Sequence, residues 1–315
     1  MRTLRVYLAA EEAAGARAFR AVVGAGHLVV GVVTGDRTQG SVAGAAALAR
    51  RTGVPVLAAE ELDDATLAEA MRQQQVDLLL NVHSLRILPP EVLAIPAIGC
   101  FNLHPGPLPR FAGLNAPSWA IYEGATRYGC SLHWMTPEVD AGPVAYAASF
   151  DVDARETGLS LNLKCVRHGL PLLEQLLADA ATSGGAAIPA DEQSRSQRRY
   201  LRRAPPCGGY VPWGESAARV DGLVRACDFE PFLSPWGTPK TRVDGTTVSI
   251  RRVSRTHASA QVAPGTIGDV AEGGVLAAAG DEWVLVEEIE VGGGRAAPAA
   301  VLRPGARCEP LAPSE

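Results

Sequence analysis

Apolar runs and helical stretches alternate along the first half of the chain. LRVYLAA (4–10), HLVVGVVT (27–34), VPVLAA (54–59), VDLLLNVH (76–83) and GCFNLH (99–104) are short, Val- and Leu-rich runs. Helical stretches separate them, one running to about Gly26 and another over 60–75. Continuous apolar runs joined by helices predict strands buried on both faces of a parallel sheet. The expected fold is therefore α/β, a doubly wound, Rossmann-like domain. YGCSLHWM (128–135) predicts a further strand and GPVAYAASFDV (142–152) its partner, joined by the turn TPEVDAG. GLSLNLKCVRHGLPLLEQLLADA (158–180) has the period of an amphipathic helix that closes this domain.

The pattern changes after residue 183. GGAAIPADEQSRSQRRYLRRAPP (184–206) has no apolar period and predicts a linker. It carries Arg195, Arg198, Arg199, Arg202 and Arg203, which suit either a solvated linker or contact with a phosphate-bearing substrate. Beyond it, a helix over 215–227 and the short runs TTVSIRRV, GTIGDVAE, GVLAAAG and EWVLVEEIEV predict a smaller β-barrel-like or sandwich domain. The expected organisation is residues 1–183, a linker over 184–206, and a C-terminal β domain over 207–311.

The chain has 315 residues, 47% of them hydrophobic and 20% charged, as in a soluble globular protein with a sizeable core. The net charge of −5 supplies no whole-chain basic field for nucleic acid. No run approaches the ~18 apolar residues of a membrane span, and the N-terminus has no cleavage signature, so a cytoplasmic protein is expected. The six cysteines form no CxxC pair and are expected to be reduced and mostly buried. No His/Cys/carboxylate cluster has metal-ligand spacing, so no metal is expected.

Ligands of open parallel sheets bind beyond the carboxyl ends of the strands. His83, Asn102 and His104 fall at or just past such ends. Residues i and i+2 of a strand share a face, so Asn102 and His104 converge there, and Pro105 ends the strand. An amide can hold a developing oxyanion, and an imidazole can take a proton. Taken singly, each residue fits an ordinary capping or strand-end role as well. Asp140 lies in a separate loop that spacing alone does not bring to His104.

FNLHPGPLPRFAG (101–113) together with YGCSLHWMTPEVDAGPV (128–144) resembles the folate-dependent formyltransferase family, which includes tRNA, sugar-nucleotide and glycinamide ribonucleotide enzymes and formyltetrahydrofolate hydrolases. The matching pattern is Asn102, His104, Pro105, Leu108, Pro109 and Gly113, then Asp140 and Gly142, with Asp140 36 positions past His104. The likeness covers most of residues 1–182. PGTIGDV (264–270) and VRACDFEPFLSPWGTPKT (224–241) resemble, less closely, the β domain appended to the tRNA and sugar members.

The resemblance implies N10-formyltetrahydrofolate as co-substrate. It also implies catalytic roles for Asn102 (holding the formyl oxygen), His104 (base, or orienting the amine) and Asp140 (pairing with His104). Backbone groups of Leu85, Arg86, Ile87 and Leu88, and of Pro137, Glu138, Val139 and Asp140, would form the pterin pocket. Gly106, Pro107, Leu108 and Ala112 fall on the acceptor side. There Gly106 replaces a frequent Ser, and Ala112-Gly113 replaces a frequent Arg-Gly. Trp119 and Tyr122 pack a core by default or wall the acceptor pocket, and Trp213 and Trp236 are expected to pack the second domain. His83 and His133 are expected to be structural or pocket-lining.

The function implied is N-formyl transfer to an amine of a small molecule, such as an amino sugar nucleotide, amino acid or peptide. Methionyl-tRNA formylation is the alternative, disfavoured by charge and by Gly106 and Ala112. Hydrolysis of the folate ranks below both. No membrane partner is expected, and a homodimer is the default assembly.

Overall fold

The computed structural model describes residues 2–35, 44–59 and 62–309. Most of the loop expected after Thr34, the first two residues of the helical run expected over 60–75, and residues 310–311 lie outside them. Among the described residues no helix is long and apolar enough to cross a membrane.

In chain order the elements are β1 (Arg5–Ala10), α1 (Glu12–Gly24), β2 (Leu28–Thr34), α2 (Ala45–Arg51), β3 (Val56–Ala58), α3 (Asp64–Gln73), β4 (Leu78–Val82), α4 (Pro90–Leu93), β5 (Gly99–His104), β6 (Ala112–Gly113), α5 (Ala116–Glu123), β7 (Arg127–Trp134), β8 (Val144–Asp151) and α6 (Gly158–Ser183). They continue with β9 (Tyr200–Leu201), α7 (Ala217–Ala226), β10 (Lys240–Val243), β11 (Thr246–Ser259), β12 (Ile267–Ala271), β13 (Gly274–Ala278), β14 (Glu282–Val291), β15 (Gly294–Ala296) and α8 (Pro298–Val301). The chain divides into two compact units. One holds residues 1–113, 128–150 and 163–200, the other 114–127, 151–162 and 201–315.

The first unit is built on a seven-stranded sheet of order β3-β2-β1-β4-β5-β7-β8. Strands β1 to β5 pair in parallel, whereas β7 runs antiparallel to β5. Side chains alternate between two cores. Val6, Leu8, Leu78, Leu80, Phe101 and Leu103 face one, and Tyr7, Ala9, Leu79 and Cys100 face the other. Burial on both faces is why these strands read as unbroken apolar runs. The alternation puts Asn102 and His104 on the Cys100 face, where β5 ends.

Residues 184–206, expected as a linker, are divided between the units at Tyr200. The first part is paired to the sheet domain: Asp191 and Val144 exchange backbone hydrogen bonds of 2.8 and 2.9 Å. Ile188 of that part is buried in the core of the sheet domain.

The second unit carries a six-stranded antiparallel sheet, β10-β11-β14-β13-β12 with β15 on β14. Val220 and Val224 of α7 enter the same core as Val248, Ile250, Val284 and Val286. The segment Arg307–Cys308 bridges both edges, Thr266 beside β12 and Val243 of β10, which gives the sheet its barrel-like closure. Trp213 and Trp236 are buried here, as expected. Cys207 is exposed, the other five cysteines are buried, and all six are free.

Candidate active site

The end of β5 gathers the polar groups of the first unit. Asn102 pairs in register with Asn81 on β4 and with His133 on β7, so the three share one row across three strands. His104 follows two residues later, opposite Ser131. The β7–β8 turn then returns Asp140 to the same place. Its φ of 53° is left-handed, a conformation Asp tolerates better than most residues. Gly142 closes the turn because a Cβ there would stand 1.9 Å from the Trp134 carbonyl oxygen.

The groups are within bonding reach of one another. Asn102 Nδ2 donates to His133 Nε2 at 3.1 Å and to Asp140 Oδ1 at 3.2 Å. The Gly113 N–H donates to Asp140 Oδ2 at 2.8 Å. His104 Nδ1 stands 3.6 Å from Asp140 Oδ2, and His133 Nε2 stands 3.4 Å from Oδ1. His104, His133 and Asp140 are buried.

Carbonyl partners assign the imidazole hydrogens. His104 Nε2 lies 2.6 Å from the Phe111 carbonyl oxygen, so Nε2 carries the hydrogen and Nδ1 turns its lone pair to Asp140. His133 Nδ1 lies 2.8 Å from the Trp134 carbonyl, so its Nε2 is the acceptor that Asn102 meets.

Burial pushes His104 below the ordinary imidazole pKa, against the pull of Asp140 and the Phe111 carbonyl. Burial alone would raise the Asp140 carboxyl. A proton on the His104 or His133 ring, together with the Gly113 N–H, outweighs it and holds the group well below the usual carboxylate range. At neutral pH the pair is a neutral imidazole facing a carboxylate, an arrangement that can take up one proton at His104 Nδ1.

Gly106 is fixed by the same geometry. A Cβ there would come within 2.8 Å of His104 Nε2 and 2.9 Å of the Phe111 oxygen. Pro107 and Leu108 follow it, with the Leu108 N–H on Ser131 Oγ at 3.1 Å, and Ala112 is buried beside Gly113.

The loop after β4 is uneven. Leu85 is 51% and Ile87 69% exposed, whereas Leu88 is buried. Arg86 turns inward to the carbonyls of Ala59 and Leu62 and to Asp64. In the other loop Pro137 and Glu138 are exposed and Val139 is half-buried. Glu138 pairs with Arg198 at 3.4 Å.

Trp119 and Tyr122 belong to α5 in the second unit. There Trp119 meets Trp236 edge-on at 5.0 Å, and the Arg219 guanidinium lies 4.6 Å from the Tyr122 ring centroid. Sequence patterning had no signal for the contacts of His133, for the Phe111 carbonyl, or for the bonds that Gln193 and Arg198 make to the Asp140 turn. Only the antiparallel register of β5 and β7 places His133 beside Asn102.

Two family models match the chain: formyl transferase over residues 20–173, and the formyl transferase C-terminal domain over 205–307. The chain belongs to the formyl transferase family. It is an enzyme of formyl transfer with both of the family's domains.

Among solved formyl transferase structures, an N-formyltransferase from Helicobacter canadensis, in complex with folinic acid and dTDP-3-aminofucose, is 14% identical, with a TM-score of 0.68. That match covers 90% of this chain and 99% of the other. HypX from Aquifex aeolicus, in complex with tetrahydrofolic acid, is 18% identical over all of this chain and 50% of its own, with a TM-score of 0.59. Glycinamide ribonucleotide transformylase 1 from Symbiobacterium toebii is 25% identical over 56% of this chain and 89% of its own, with a TM-score of 0.50.

Proposed function

We propose that this formyl transferase moves the formyl group of N10-formyltetrahydrofolate to the amine of a small molecule, with an amino sugar nucleotide as the favoured acceptor. The observation that carries the reading is the cluster of half-buried Asn102 with buried His104 and Asp140 at the end of β5.

The amine attacks the formyl carbon, and the carbonyl oxygen becomes an oxyanion. Asn102 exchanges its bond to Asp140 for one to that oxygen. His104 Nδ1 takes the proton from the attacking nitrogen, which converts a lone pair facing Asp140 into an imidazolium–carboxylate pair. The intermediate then collapses, the bond from carbon to N10 breaks, and the imidazolium returns its proton to N10. The products are a formamide and tetrahydrofolate.

Exposed Leu85 and Ile87 offer apolar contact to a ring, and the backbone beside them and at Pro137–Asp140 offers hydrogen bonds to a pterin. Support for the acceptor is the coverage of both domains by the sugar-nucleotide-bound Helicobacter structure. Exposed Arg195 and Arg199, in the same unit as the cluster, suit a diphosphate. The same arginines favour tRNA as the second reading, opposed by the net charge of −5.

A screen of amines with formyltetrahydrofolate, read as tetrahydrofolate formed, separates these readings. Turnover with nucleotide-linked amino sugars supports the first, and efficient formylation of initiator Met-tRNA replaces it. Formate release without acceptor reveals a hydrolase. An inactive His104→Ala that still binds folate is expected, and full activity in that variant would remove the proposed base.

A further inference from the structure

The strap over residues 191–199 ties together the two loops that bracket His104. It starts at Val144 beside the Asp140 turn and ends with Arg199, whose N–H bonds the Pro109 carbonyl at 3.2 Å and whose carbonyl accepts from the Ala112 N–H at 3.1 Å. Between these anchors two side chains reach into the turn. Gln193 Nε2 donates to the carbonyls of Asp140 at 3.0 Å and Gly142 at 2.6 Å. Arg198 Nη2 donates to the Val139 carbonyl at 2.5 Å. Three carbonyls of the turn are thus held by side chains more than 50 positions away in sequence.

The same Arg198 guanidinium also pairs through Nη1 with Glu138 at 3.4 Å, so the turn is gripped through both its backbone and a side chain.

We propose that Gln193 and Arg198 are positioning residues for formyl transfer, fixing the left-handed Asp140 turn so that its carboxylate stays aimed at His104 and Asn102. Neither residue touches a reacting atom. The inference rests on the proposed role of Asp140. The charged and titratable groups facing that carboxylate are His104 from β5 and His133 from β7, with Glu138 and Arg198 at the turn itself. His83 acts electrostatically on His104.

The test compares Gln193→Ala, Arg198→Ala and Arg198→Lys with Asp140→Asn in the full chain. Misplacing a catalytic group by about 1 Å can cost on the order of 100-fold in rate, so the two Ala variants should lose between about tenfold and that amount in kcat, with the acceptor KM little changed. The acid limb of their kcat profile, set by His104, should move to lower pH, because a displaced Asp140 no longer raises the pKa of that ring. Arg198→Lys retains one donor for the Val139 carbonyl and should recover most of kcat.

Wild-type kcat and pH profile in both Ala variants, with Asp140→Asn inactive, would overturn the inference. So would a kcat that falls only with the folded fraction, by near-ultraviolet circular dichroism, while the profile stays put. A fully active Asp140→Asn would instead overturn the reading beneath it.

Discussion

At His104, one carbonyl decides which ring nitrogen is available. The Phe111 oxygen holds the Nε2 hydrogen, so proton uptake occurs at Nδ1, against Asp140. Burial lowers the His104 pKa, so the ring that serves as base stays neutral to below the ordinary value of about 6.5. The acid limb of kcat in a pH–rate profile is therefore expected below that value. Stability carries the same sign. The unfolded ring takes a proton that the folded one refuses, so stability should fall as pH drops below about 6.5. Melting temperatures of the wild type and His104→Gln across pH 5–8 check this, with the slope reduced in the variant. Gly106→Ser places a Cβ against both partners of the Phe111 bond. Removing that fix on the imidazole should lower kcat on the order of tenfold while folate affinity, by fluorescence titration, stays near wild type. The convergence of Asn102 and His104 was legible from a period of two. Asp140 was reached only through the family pattern, because a turn 36 residues later carries no local sign of where it returns. Gln193 was not legible at all, and Arg198 only as one of five linker arginines rather than as a partner of Val139 and Glu138, since polar residues in a stretch without apolar period read as a linker wherever they pack.

Among the elements, the strands of the first unit were legible because burial on both faces leaves unbroken apolar runs. The direction of β7 was not, since a strand buried on both sides reads the same whichever way it runs. That direction sets the Asn102–His133 pair and turns the chain so that Asp140 can return. Helix α6 was readable from its apolar stripe, and Leu173, Leu176 and Leu177 fill the core they share with β4 and β5. Leu176 is fully buried, so Leu176→Ala should cost about 2–5 kcal/mol in denaturant unfolding. The loss belongs to the sheet domain, and residual kcat per folded molecule should stay close to wild type.

For the molecule as a whole, each unit has its own core, and the chain crosses between them more than once. The C-terminal sheet depends on a few backbone bonds made late in the chain. Ile267 donates to the Ala306 carbonyl, Cys308 to Gly265 and Glu309 to Arg242, each at 2.8 Å. Deleting residues 305–315 should leave β10 and β12 as open edges, with a lower melting temperature and more light scattering on warming. An unchanged melting curve would show that the closure adds nothing.

The position of that seam also sets an order of events on the ribosome. Strands β10 to β14 emerge before Arg307 and Cys308, so the sheet has two unpaired borders until that segment is made. A pause in translation just upstream of residue 305 would lengthen that exposure. Chaperones that bind unpaired strands would then meet this protein at the second sheet, after the sheet that carries the catalytic cluster has already emerged.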